Sequence, residues 1–67
     1  MRVQVNGVER ETAAATVGDL LREMGIDSAK RGSAVAINDS VAPRAAWDET
    51  ALHEDDRVEV IRPVQGG

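Results

Sequence analysis

Val17, Leu20, Leu21 and Met24 stand at i, i+3, i+4 and i+7, which puts four apolar side chains on one face of a short helix. The apolar residues around that stripe mostly alternate with polar ones, the period of half-buried strands. One apolar helical face and several one-sided strands bury each other when the helix lies across a sheet. The helix carries its own boundary signals. The Thr16 hydroxyl is placed to cap the first free N–H groups, with Asp19 three residues on as in a capping box, and Gly25 is placed to end the last turn.

The strands follow from local chemistry. Met1, Val3 and Val5 alternate with Arg2 and Gln4, then Asn6-Gly7 supplies two residues that tolerate the positive φ of a type I′ hairpin turn. Val8 to Thr12 reads as the returning strand. Ser28 to Gly32 is a polar loop. In Ser33 to Ile37, Val35 and Ile37 are predicted to face inward and Ala34 and Ala36 outward. Asn38-Asp39 marks a turn, Ser40 to Ala42 a short strand that Pro43 closes, and Arg44 to Trp47 a single helical turn. Arg57 to Arg62 is the clearest strand, with Val58 and Val60 facing one way. The order predicts an α+β domain over 1–62, a β-grasp with a mixed four- to five-stranded sheet and one helix across it. Another hairpin-helix-hairpin α+β arrangement is the alternative. Residues 63–67 read as an extended, flexible tail.

Composition excludes several roles. A chain of 67 residues is one domain at most and buries only about 60% of its unfolded surface. Without cysteine it has no disulfide framework, thiolate metal site or thiol nucleophile. Eight scattered basic residues against twelve acidic ones, net charge −4, do not suit a nucleic-acid partner. No apolar run reaches the roughly 18 residues of a membrane span, and the N-terminus lacks a signal-peptide core. A cytoplasmic monomer is the expectation.

The run Asn38, Pro43, Arg44 and Trp47, the strand Asp56 to Val60, and the ending Val64-Gln65-Gly66-Gly67 resemble the ThiS family of sulfur carrier proteins. The similarity covers the whole chain and implies a ubiquitin-like β-grasp fold. It also implies an activity. A ubiquitin-activating-type adenylyltransferase, using ATP and magnesium, would convert the Gly67 carboxylate to an acyl-adenylate. A sulfur donor such as a cysteine desulfurase persulfide would leave a thiocarboxylate, and thiazole synthase would receive the sulfur in thiamine biosynthesis. On this reading the chain is not itself an enzyme and binds no cofactor or metal; Gly67 alone carries chemistry.

The tail suits those demands. Its five residues from Pro63 span at most ~17 Å when extended. An exposed α-carboxyl with a pKa of about 3.5 is ionised at neutral pH. Gly66 and Gly67 have no Cβ to block a narrow passage, and Pro63 limits the conformations lost when the tail is bound. Pro63, Val64, Gln65 and Gly66 are therefore expected partner contacts. Ala34, Ala36 and Ile61 are expected to form an apolar patch beside the tail where the activating enzyme docks.

Other features have plainer readings. His53 lacks a second ligand and reads as solvated, and Glu54-Asp55-Asp56 reads as a solvated turn rather than a cation site. Trp47, the one aromatic residue, reads as core edge before interface. Gly18 sits inside the helix, where glycine costs about 0.5–1 kcal/mol against alanine, for no local reason. Rival functions are a carrier for molybdopterin or cysteine assembly, a ubiquitin-like modifier, and an interaction module with an inert tail. A self-contained enzyme lacks the necessary parts.

Overall fold

The computed structural model describes residues 1–26 and 32–62. Most of the expected loop before Gly32 and the whole tail from Pro63 lie outside the described residues. Strands β1 (Arg2–Val5) and β2 (Val8–Glu11) form the N-terminal hairpin. Asn6 and Gly7 both take positive φ, 52° and 82°, as a type I′ turn requires. Helix α1 (Val17–Glu23) follows, then β3 (Ala34–Ile37), β4 (Ser40–Ala42), a 3-10 helix (Arg44–Glu49) and β5 (Arg57–Ile61). The sheet order is β2-β1-β5-β3-β4, with β5 parallel to β1 and antiparallel to β3. This is the mixed five-stranded β-grasp sheet.

The helix ends are built as the sequence indicates. Thr16 Oγ1 accepts from Asp19 N at 3.1 Å, and Val17 N donates to Thr50 O at 2.9 Å, satisfying two N–H groups of the first turn. At the other end Gly25 has φ 76°; its N–H donates to Arg22 O and that of Ile26 donates to Leu21 O, the paired bonds of a Schellman motif. Ile26 then packs against the core.

Val3, Val17, Leu20, Leu21, Val35 and Val58 are the most deeply buried large side chains. Full burial of each contributes about 1.5–3 kcal/mol. Val35 faces Ala42 and Val60 across the sheet, and Ile37 packs against the same cluster. Trp47 is 3% exposed, with Nε1 donating to Ala42 O at 2.7 Å and the Arg44 guanidinium 4.8 Å from its ring centroid. The tryptophan is core. The helical turn around it runs to Glu49, longer than expected, because Leu52 and Thr50 tie the following segment to the start of α1.

The acidic turn departs from expectation at one residue. Glu54 stays exposed and accepts from Arg2 N, but Asp56 is buried. Its carboxylate accepts from Asn38 Nδ2 at 3.0 Å and His53 N at 2.8 Å, joining the β3–β4 turn to the start of β5. Asp56 is a structural bridge and not a solvated turn residue. His53 is exposed, as read. Among the described residues, no helix is long and apolar enough to cross a membrane.

Candidate functional site: the open sheet face and the end of β5

The helix covers one face of the sheet, and alternation along each strand decides what the other face presents. Burial of Val58 and Val60 turns Arg57, Glu59 and Ile61 outward on β5. Burial of Val35 turns Ala34 and Ala36 outward on β3. Ala34 is directly opposite Ile61, and Ala36 lies between Glu59 on one side and Val41 on the other. The three predicted docking residues therefore share one surface at the end of β5. Ile61 is 58% exposed, Ala34 is exposed and Ala36 is half-buried.

Val41 belongs to this surface and was missed from sequence. It is 78% exposed and paired with Ala36. The signal was present: a two-residue Asn38-Asp39 turn sets Ile37 against Ser40, so Ala36 must face Val41. With neither a large side chain nor a long strand to mark it, Val41 carried too little weight alone.

The open face is divided by charge. Its β1–β2 half carries Arg2 within 3.6 Å of Glu9 and 3.9 Å of Glu11, and Arg57 pairs with Asp39 at 3.2 Å. Such exposed pairs contribute little stability but keep the surface around them hydrated. Toward the β3–β4 edge, Val41, Ala36, Ala34 and Ile61 form an apolar patch bordered by Glu59, which lies opposite Ala36. Among the described residues, groups with displaced pKa values lie elsewhere, on the helix. Arg22 holds the Asp19 carboxyl below its usual range, and the Thr12 hydroxyl does the same for Glu23. Neither adjoins the end of β5.

Pro63, Val64, Gln65, Gly66 and Gly67 lie outside the described residues. Among the described residues, no three His, Asp or Glu side chains are grouped to hold a metal ion.

The ThiS family profile matches residues 3–67. The sulfur carrier protein ThiS of Escherichia coli is 29% identical over 68 aligned residues, covering all of both chains. The thiazole synthase of Paramagnetospirillum magneticum is 35% identical over the same length, which covers all of this chain but 20% of that protein. The crystal structure of the thiamine biosynthesis protein ThiS from Geobacter metallireducens superposes with a TM-score of 0.79 at 30% identity, covering all of both chains. The solution structure of a thiamine biosynthesis protein from that organism gives 0.81 at 30% identity, covering all of this chain and 88% of that one. The chain belongs to the ThiS family, the sulfur carriers of thiamine biosynthesis.

Proposed function

We propose that the Gly67 carboxylate is the atom group that carries sulfur. A ubiquitin-activating-type adenylyltransferase in the cytoplasm uses ATP and magnesium on this carboxylate. A carboxylate oxygen attacks the α-phosphorus, pyrophosphate leaves, and an acyl-adenylate forms. A persulfide donor such as a cysteine desulfurase displaces AMP from the acyl carbon. A thiol reductant then cleaves the resulting S–S bond and leaves the thiocarboxylate. The chain's own contribution is a tail thin enough to reach a buried nucleotide and a folded body that selects the partner.

The observation that carries this reading is the family match, which runs through Gly66 and Gly67. Thiazole synthase is favoured as acceptor over molybdopterin or cysteine assembly, because a protein named thiazole synthase contains a stretch resembling this entire chain. The apolar quadrant formed by Ala34, Ala36, Ile61 and Val41 is proposed as the docking surface for the activating enzyme. Burying it removes apolar area from water without stripping the hydrated charges of the other half.

Intact-protein mass after incubation with ATP, an adenylating enzyme of this family and a sulfur source tests the chemistry. The expected result is the gain from replacing one oxygen by sulfur, lost when Gly67 is deleted. No gain with a partner shown to be active would favour the interaction module with an inert tail.

A further inference from the structure

Strand β1 ends at Val5, where the chain turns away through Asn6-Gly7, yet β5 continues past that point to Ile61. On the β1 side of β5 the backbone groups are taken in sequence: Asp56 O accepts from Gln4 N, and Val58 O accepts from Asn6 N, each at 2.9 Å. The next residue facing that side is Val60, and no strand residue remains to meet it. The Asn6 side chain takes the place of one. Its Oδ1 accepts from Val60 N at 2.8 Å, and its Nδ2 donates to Val60 O at 3.2 Å. One carboxamide supplies both the acceptor and the donor that a continuing parallel strand would offer Val60. On the other side, Ile61 remains paired with Ala34. The last strand is therefore held on both sides up to its final two residues.

We propose that the Asn6 carboxamide is a positioning group that fixes where the C-terminal tail leaves the sheet. The inference rests on the carrier reading above. A tail of five residues has little slack. If Val60 and Ile61 fray, the tether lengthens and its origin wanders, so a docked carrier places Gly67 at the nucleotide less often. Asn6 also meets a second demand, because its φ of 52° suits asparagine or glycine better than most residues.

That coincidence supplies the test. Asn6→Gly keeps the turn, since Gly-Gly also forms a type I′ hairpin, and removes the carboxamide at the cost of a freer turn backbone. The control for that freedom is Asn6→Asp, which keeps the side chain's shape. Asn6→Asp keeps an acceptor for Val60 N–H but loses the donor to Val60 O. Amide exchange in the full-length chain should quicken at Val60 by about tenfold in Asn6→Gly, with Val3 unchanged. Adenylation by the partner enzyme should show kcat reduced by about tenfold at unchanged KM, because the docking quadrant is untouched. Asn6→Asp should fall between. An Asn6→Gly variant with wild-type kcat, or with a raised KM as the sole change, overturns the positioning role. A wild-type chain that is never adenylated overturns the carrier reading and this inference with it.

Discussion

Gly18 shows how a single atom's absence is explained only by a distant part of the chain. It is buried in the first turn of α1, where it weakens the helix. A Cβ there would land on the Asp48 carboxylate and lie 3.3 Å from the Asp48 Cα, so the glycine lets the 3-10 helix approach α1. Asp48 also pairs with Arg22 at 3.1 Å. For Gly18→Ala two effects oppose. Alanine favours the helix by about 1 kcal/mol, but the Asp48 side chain must swing off Arg22 and its backbone must yield slightly. The net change in urea unfolding should stay within about 1 kcal/mol. Gly18→Val has branches that meet the backbone itself and should destabilise by about 2 kcal/mol. Equal stability of the two variants would remove the close-approach explanation. Nothing in the local sequence indicates Asp48 as the partner, which is why Gly18 was unaccounted for on sequence alone.

Between elements, a short polar tie from hairpin to helix runs through Thr12. Its buried hydroxyl donates to Glu23 Oε2 at 2.9 Å and accepts from Ala14 N at 2.9 Å, joining the end of β2 to the end of α1. That hydroxyl is the first cause of Glu23's lowered pKa, with Arg10 adding to it and burial partly opposing. A carboxylate depressed in the fold stabilises fully above its ordinary pKa of about 4.3, and the contribution is lost as pH falls through the lower folded value. Thr12→Val should therefore be less stable at pH 7, with a gap to wild type that narrows on acidification below about pH 4. The orphaned Ala14 N–H leaves a residual cost of about 1 kcal/mol at all pH values. Parallel stability curves for the two proteins would refute the linkage. Turns, caps and strand faces were legible because each depends on neighbours in sequence: Asn6-Gly7, Thr16, Gly25, and the alternation of Val58 and Val60. Asp56 was not legible. A carboxylate between other acidic residues reads as solvated until the fold brings Asn38 beside it.

For the molecule as a whole, the division of the open face into charged and apolar halves sets what a partner can approach. Ala36→Asp and Ile61→Asp put a charge into the apolar quadrant without touching the core. Each should weaken binding to the proposed activating enzyme by about tenfold or more while leaving the unfolding midpoint nearly unchanged. Calorimetry showing wild-type affinity for both variants would remove this face as the docking surface. Strand alternation made Ala34, Ala36 and Ile61 legible from sequence as part of this patch, whereas Val41 required the register of the second hairpin. The position of Asn6 opposite Val60 was hidden further still, because it depends on two strands from opposite ends of the chain running parallel. The two outer strands carry a different consequence. β2 presents Glu9, Arg10 and Glu11, and β4 has three residues before Pro43, which has no N–H to offer a newcomer. An edge strand left open to pairing would let copies of a chain stack on one another. These two borders, one lined with charge and the other closed by proline, disfavour such edge-to-edge pairing between copies.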